Sequence, residues 1–312
     1  MNALLLRLIL LLACVLSWPA LAQDFPSKLV RIVVPFPPAG GADTLARILA
    51  PQLSALWGQQ VIIEYKPGAS GHIGANLVAQ SAPDGHTLLM ASTAVMTEKN
   101  VPQFAPVTLV TASAYVITAH PKLGVNTVAD LIKLAKANPG KLSFGSSGTG
   151  AASHLSAELF KVMAGVDLLH VPYKGTGQAL TDLVGGQVDL MFAPAQTVMP
   201  QVQAGRVRAL AVTSASRSET LPGLLTVNES GVPGYAAVGW FGLLAPVATP
   251  KPLVAKLSAD INQVMAQREV REKMLALGSE PAANSPETFT QFIREDQAKW
   301  AKLIKDQGIK IE

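Results

Sequence analysis

Short β-rich runs alternate with segments of helical periodicity along most of the chain. A strand candidate at 29–36 is followed by a helix candidate at 44–57, whose apolar residues fall on one face. Gly58 is suited to end that helix, and a second strand candidate follows at 61–64. Because this alternation is typical of parallel sheets covered by helices, the sequence predicts an α/β fold.

The remaining elements continue the pattern to the C-terminus. Further strands are predicted at 87–91, 142–145, 168–172, 188–192 and 207–213, and helices at 72–81, 127–138, 155–163 and 178–183. Thr127 and Asp130 form a capping-box pattern for the helix that ends at Asn138. Two terminal helices are expected, the second opened by Ser285, Pro286 and Glu287 as N-cap, first position and acidic first turn.

Two strand-like runs, 114–119 and 240–246, flank the centre of the chain, and no polar linker separates the halves. Crossing twice by extended segments is how a hinged, two-lobed receptor is built, with its ligand cleft between the lobes. We therefore predict a first lobe from 23–117 and 241–312, and a second from 118–240.

The N-terminus has the features of a secretory signal peptide. Arg7 precedes an apolar run at 8–16, and Ala20 and Ala22 occupy the −3 and −1 positions for cleavage after Ala22. The run is too short to span a membrane. Segment 1–22 is thus predicted to direct export to the periplasm and to be removed from the mature chain. The rival interpretation, a lipoprotein acylation site at Cys14, has only a very short apolar region before it.

Composition excludes several classes of protein. Cys14 is the only cysteine, so the mature chain has no disulfide framework. Without Arg7, 24 Lys and Arg oppose 21 Asp and Glu with no long basic run, which disfavours a nucleic-acid partner. The five histidines show no metal-ligand spacing, and no nucleotide-binding motif occurs, so no metal or cofactor is predicted.

Three predicted strand-to-helix junctions are rich in glycine, at 35–43, 145–150 and 173–177. Each is expected to leave backbone N–H groups free at a helix start. Unpaired amides and the helix dipole both favour negative charge, so such a loop binds an anion without a cationic side chain. Three of them on facing lobes predict a converging clamp for a carboxylate.

Enzyme motifs are weak in the same loops. Ser146 and Ser147 lack the Gly-x-Ser-x-Gly elbow of a nucleophile, so we interpret them as caps or hydrogen-bond donors to the ligand. His154 is either a structural histidine or part of the site. Lys174 either supplies ligand charge or is solvated at the rim of the cleft.

Asp43 and Arg47 stand four residues apart at a predicted helix start. This spacing predicts an ion pair on the helix surface, with Asp43 also favouring the helix N-terminus. Arg47 is then engaged, and a ligand carboxylate is left to amides, hydroxyls and water.

In combination these motifs resemble one family over essentially the whole mature chain. They are Pro35-Phe36 to Gly40-Gly41 with Asp43 and Arg47, Pro67 to Gly71 with Ile73-Gly74, Asp84 to Leu89, Phe104 to Val107, Ser146 to Gly150 with His154-Leu155, His170 to Gly175, Gly186 to Asp189, and Trp240 before Leu244-Ala245-Pro246. The chain resembles the Bug family of periplasmic solute-binding receptors, the TctC-type receptors of tripartite tricarboxylate transporters.

The resemblance implies a type II periplasmic binding protein fold, two lobes with parallel-type sheets hinged by two crossing strands. It implies a receptor, not an enzyme, for di- or tricarboxylates, acidic amino acids or aromatic acids, with an inner-membrane permease as partner. We expect the receptor to be a monomer. Amides and bridging waters would hold the ligand carboxylate. The expected site residues are Phe36, Ala39, Gly40, Gly41, Asp43, Ser92, Ser146, Ser147, Gly148, Thr149, Gly150, His154, Tyr173, Lys174, Gly175 and Ala193.

Three positions depart from the family pattern. Tyr65 stands where Asn is usual, Gln103 where Asp is common, and Ala193 where an acidic residue often contacts a ligand amine. The last departure favours plain carboxylates over amino acids. Two alternatives stay open, a periplasmic sensor that signals to a membrane partner and an enzyme acting on a carboxylate.

Overall fold

The computed structural model describes residues 25–97 and 99–307. Its strands are β1 Val30–Val34, β2 Val61–Tyr65, β3 Thr87–Ser92, β4 Phe104–Ala119, β5 Ser143–Ser146, β6 Leu169–Pro172, β7 Leu190–Pro194, β8 Arg208–Val212 and β9 Val238–Pro246. Its helices are α1 Gly41–Trp57, α2 His72–Ala79, α3 Val128–Ala137, α4 Ala152–Ala164, α5 Thr176–Val184, α6 Ala195–Gln203, α7 Lys251–Ala266, α8 Arg268–Ala276 and α9 Pro286–Gln307.

A curled sheet runs through both halves of the molecule in the order β2-β1-β3-β9-β4-β7-β5-β6, with β8 also paired to β4. In the first lobe β2, β1 and β3 are parallel, and β9 and β4 add antiparallel strands. In the second lobe β5, β6 and β7 are parallel, and β4 and β8 complete the sheet. Parallel strands joined by covering helices place their loops at one sheet edge, where ligands bind in such folds.

Strand β4 belongs to both lobes. Its first part pairs with β9, from Phe104 opposite Pro246 to Ala114 opposite Val238. Its last residues, 115–119, pair with β7. The two crossing strands expected from the sequence therefore form one antiparallel ribbon. The residue limits of the lobes stay a prediction, because both strands extend past them.

Three apolar clusters fill the interior. One lies around β1, β3, α1 and α7 in the first lobe. The other two cover opposite faces of the second sheet, because neighbouring residues such as Val116 and Ile117 point to opposite sides of β4. Helix α9 crosses between the lobes, since Phe289 packs in the first-lobe cluster and Trp300 in a second-lobe cluster.

Most of the predicted elements are confirmed, with ends shifted by a few residues. The capping box of α3 is present, since Asp130 N donates to Thr127 Oγ1 and Thr127 N donates to Asp130 Oδ2, both over 3.0 Å. Ser285 caps α9, because its Oγ accepts from Thr288 N at 3.2 Å.

Three features differ from the sequence prediction. Helix α6 was not predicted, and Pro200 within it weakens the pattern. Three helices rather than two follow β9, because extended backbone at Gln267 separates α7 from α8. Strand β4 is 16 residues long, and only its end was predicted, because buried Thr108 and Thr111 break the expected alternation.

The predicted signal peptide and Cys14 lie outside the described residues. Within 25–97 and 99–307, no helix combines the length and the apolar character needed to cross a membrane.

Candidate functional site

A narrow pocket lies between the lobes, at the loop edges of both sheets, and its cavity volume is only about 20 Å³. We call it the inner pocket. It is lined by Phe36, Gly40, Gly41, Ala42, Ser92, Thr93, Ala94, Tyr115, Ser147, Ala151, Ala152, Thr176, Pro194 and Phe241. None of these lining residues carries a formal charge at neutral pH, so polarity comes from hydroxyls and backbone groups.

Four helices begin at the inner pocket. Its lining includes the N-cap or first residue of α1 (Gly40, Gly41), α4 (Ala151, Ala152), α5 (Thr176) and α6 (Pro194). No N-cap side chain of these four helices accepts a hydrogen bond from its own first turn. Uncapped first-turn amides and helix dipoles favour an anion, so each of the four helix starts favours negative charge in the pocket.

The loop before α1 is shaped by the carboxylate of Asp43. Ala39 N donates to Asp43 Oδ2 over 2.7 Å, and Ala39 adopts a φ of 66°. Asp43 Oδ1 accepts from Arg47 Nε at 2.8 Å and from the Tyr65 hydroxyl at 2.6 Å. The loop is thus held by a carboxylate with at least three donors.

The expectation of a surface ion pair is wrong in one respect. The Asp43 side chain is only 5% exposed, whereas that of Arg47 is 60% exposed. Asp43 is therefore a buried support for the loop, and it does not line the inner pocket. Tyr65, which departs from the family pattern, supplies one of the donors to this carboxylate, and burial together with Asp43 raises the pKa of its phenol.

Three backbone amides of the loop from Ser146 to Gly150 donate hydrogen bonds to side chains of the same junction. Ser147 N donates to Ser153 Oγ at 3.0 Å, Gly148 N to Ser146 Oγ at 3.1 Å, and Gly150 N to His154 Nδ1 at 3.1 Å. The expectation that these amides are free is therefore wrong. Of this junction, Ser147 and the start of α4 face the inner pocket, while Thr149 and Gly150 face a second, larger cavity toward α9.

Two stacked imidazoles lie behind this loop. The rings of His154 and His170 are 4.0 Å apart between centroids, and His170 Nε2 lies 2.7 Å from Ser146 Oγ. Burial lowers the pKa of both rings to about 4, so both are neutral at pH 7. Because His154 Nδ1 accepts from Gly150 N, its proton is on Nε2. The Ser146–His170 contact has the geometry of a nucleophile and its base, but Ser146 is fully buried.

The junction at 173–177 packs directly on the loop before α1. A Cβ atom added to Gly177 would lie 2.8 Å from Pro38 O, and one added to Gly175 would lie 3.0 Å from Pro37 Cδ. The two lobes therefore touch, and glycine is what permits this approach. Tyr173 donates to Asp182 Oδ2 at 2.6 Å, with its pKa raised to about 12, and Lys174 is exposed to solvent.

Of the other expected site residues, some line the inner pocket and others do not. Phe36, Gly40, Gly41, Ser92 and Ser147 line the inner pocket together. Ala193 is fully buried in β7, and it is the next residue, Pro194, that reaches the pocket.

Nine lining residues are not among the expected site residues, although Ala42 and Thr176 lie in the predicted glycine-rich junctions; the nine are Ala42, Thr93, Ala94, Tyr115, Ala151, Ala152, Thr176, Pro194 and Phe241. A usable signal was present for Pro194, because a proline that fixes φ directly before a helix marks another strand-to-helix junction. In the part of the chain that the structure describes, no group of three or more His, Cys, Asp or Glu is placed to hold a metal.

Comparison with known proteins identifies the family. The family model described as "Tripartite tricarboxylate transporter family receptor" (TctC) matches residues 45–309. Protein BugT of Bordetella pertussis is 33% identical over 305 residues, with 94% of each chain covered.

Two solved structures have the same fold at 35–36% identity. The Rhodopseudomonas palustris protein Rpa4515 with adipate superposes with a TM-score of 0.87, at 35% identity over 91% of this chain and 99% of the other. The periplasmic binding protein BugD gives 0.86, at 36% identity over 92% and 99%. The expected α/β, two-lobed periplasmic binding fold is confirmed. The chain therefore belongs to the TctC family of Bug-type periplasmic solute-binding receptors.

Proposed function

We propose that this receptor captures a small di- or tricarboxylate or aromatic acid, with one ligand carboxylate held in the inner pocket by the amides of four helix starts. The observation that carries the proposal is the convergence of α1, α4, α5 and α6 on a pocket without a charged lining residue. Fixed amide dipoles stabilise an anion in a desolvated site and undergo no rearrangement on binding.

The walls of the pocket suit the body of such an acid. Phe36, Tyr115 and Phe241 are less than a tenth exposed and present ring surface beside the hydroxyls of Ser92 and Ser147. No acidic residue lines the inner pocket, so a ligand ammonium would lose its water without gaining a counter-charge there. The adipate bound to Rpa4515 supports a plain carboxylate.

We infer that binding is coupled to lobe closure. The pocket is narrow where the lobes touch at Gly40 and Thr176, so the ligand enters an opened cleft and the lobes then close over it. In this proposal Gly148, Thr149, Gly150, His154, Tyr173 and Gly175 shape the second rim, and Ala39 and Asp43 shape the first. Lys174 lies at the edge of the cleft.

No chemistry on the ligand is proposed. The Ser146 hydroxyl and the His170 ring lie behind the loop rather than on the pocket wall, so a ligand in the inner pocket does not reach them. The receptor is proposed to act as a monomer in the periplasm after removal of 1–22, and to deliver its ligand to an inner-membrane permease of a tripartite transporter.

The test begins with the ligand that the protein itself retains. Gently purified protein is denatured, and the released small molecules are identified by mass spectrometry. Candidate acids are then titrated calorimetrically and by thermal shift, because a ligand at 100 times its Kd stabilises the folded state by about 2.7 kcal/mol. If a broad panel of carboxylates at millimolar concentration gives neither heat nor a shift, the proposed function is refuted.

A further inference from the structure

The wall of the inner pocket at Thr93 is backed by a buried carboxylate. Thr93 lines the pocket at the end of β3, and its Oγ1 donates to Asp296 Oδ2 in α9 over 3.3 Å. Asp296 Oδ2 also accepts from Trp240 Nε1 at 2.7 Å, and Oδ1 accepts from Trp300 Nε1 at 2.9 Å. One carboxylate thus joins the cleft wall, the crossing strand β9 and the second-lobe core.

Asp296 carries its charge with little compensation. It is 8% exposed, and within the described residues it forms no ion pair; its donors are two indoles and one hydroxyl. Burial raises the pKa of this carboxyl, while the three hydrogen bonds oppose that effect. A buried anion close to an anion-binding pocket opposes ligand binding unless something in the complex offsets it.

The hydrogen bond to Asp296 determines whether the Thr93 hydroxyl acts as a donor or an acceptor toward a ligand. A threonine hydroxyl has one proton, and this one is directed at the carboxylate, so the oxygen can offer only its lone pairs to a ligand. The carboxylate behind it polarises the hydroxyl and makes the oxygen a better acceptor. Tyr115, in contrast, lines the same pocket with a phenol that burial keeps protonated and that has a proton to donate.

We propose that Thr93, oriented by Asp296, determines specificity by accepting a hydrogen bond from a hydroxyl group of the bound acid, so that the preferred ligands are hydroxycarboxylates. The carboxylate of such a ligand lies at the helix starts, and its hydroxyl lies against Thr93 and shields the pocket from Asp296. This inference rests on the proposed function, since it assigns the second polar contact of the same ligand.

The test compares acids that differ only by a hydroxyl. Malate and succinate form one pair, and 3-hydroxybutyrate and butyrate form another; each is titrated into the purified protein. A hydrogen bond of ordinary net strength predicts a roughly five- to tenfold lower Kd for the hydroxylated member of at least one pair. In Thr93→Val, which keeps the shape but has no acceptor, that ratio is expected to fall to about one, and Thr93→Ser should restore it.

Two further variants make the outcome decisive. Asp296→Asn changes the partner of the Thr93 hydroxyl and should also reduce the ratio, whereas Gly223→Ala, with no atom within 4 Å of the added Cβ, should keep it. Equal affinities within both pairs, or a preference that persists in Thr93→Val, overturn the inference and leave the proposed function standing. Absence of binding by all four acids and by the wider panel refutes the proposed function itself.

Discussion

The contact between the lobes at Gly41 is the most direct place to test closure. A Cβ atom added to Gly41 would lie 3.0 Å from two atoms of the Phe241 ring and 3.0 Å from Gln196 Nε2. Phe241 belongs to the crossing strand β9, and Gln196 lies in the first turn of α6 in the second lobe. The substitution Gly41→Val therefore places a β-branched side chain against Phe241 of the first lobe and against Gln196 of the second lobe.

The expected loss of affinity follows from these distances. A Cβ at 3.0 Å requires its neighbours to move by a few tenths of an ångström, and the two γ-methyl groups of valine reach further into the same space. Overpacking of this kind costs about 1–3 kcal/mol, which corresponds to a roughly 5- to 150-fold higher Kd. The fold itself should persist, because an opened cleft relieves the contact with Gln196 and valine is no worse than glycine in a helix, although the contact with Phe241 lies within the first lobe and stays in the open form.

Calorimetric titration with the retained ligand measures this effect, and thermal unfolding of the ligand-free variant checks the fold. We expect the ligand-free Tm to stay within about 4 °C of the parent, a shift equivalent to about 1 kcal/mol or a little more. Gly223→Val is the matched control, since a Cβ there meets nothing within 4 Å. If Gly41→Val binds with the parent affinity, the lobes do not close over the start of α1 and the reasoning is refuted.

Two further predictions concern the supports of the site. Burial lowers the pKa of His154 and His170 to about 4. Between pH 4 and pH 6.5 the folded state therefore binds fewer protons than the unfolded state, so the unfolding free energy falls as the pH is lowered through that window. Urea unfolding should show an unfolding free energy that is roughly 1–3 kcal/mol lower at pH 5 than at pH 7, and this difference should be smaller in His170→Gln. An identical pH dependence in the two proteins would contradict the assignment of the effect to His170. Asp43→Ala removes a buried acceptor from at least three donors and should cost about 2–4 kcal/mol of unfolding free energy, whereas Arg47→Ala, which removes the exposed partner, should cost less than about 1 kcal/mol. Equal losses in these two variants, measured by urea unfolding, would show that Asp43 is not the residue that holds the loop.

The sequence predicted the architecture because its local signals agree with the fold. Apolar periodicity, the cap at Thr127 and glycine at Gly58 mark elements whose ends are fixed by backbone chemistry alone. Glycine also marked the junctions at Gly40 and Gly177, where the lobes approach more closely than a side chain allows.

The candidate site was predicted only in part, for physical reasons that can be named. Sequence shows that a loop is rich in amides, but not that Ser153 and His154 accept hydrogen bonds from two of them. The fourth helix start was missed because Pro194, not glycine, precedes it. The buried Asp43 carboxylate accepts a hydrogen bond from the Tyr65 hydroxyl, which is 22 residues away in the chain and could not be paired with it from local sequence.

The pairing of β4 with strands of both lobes has a consequence for how such a molecule is divided or recombined. Residues 104–114 of this 16-residue strand pair with β9 in the first lobe, and residues 115–119 pair with β7 in the second, so removal of the strand takes a sheet member from both lobes. A lobe transferred without its own part of β4 would therefore lose a strand of its sheet. New ligand preferences in this architecture must then arise by exchange of residues at the loop edges, while the shared strand restricts recombination between relatives to swaps that keep it whole.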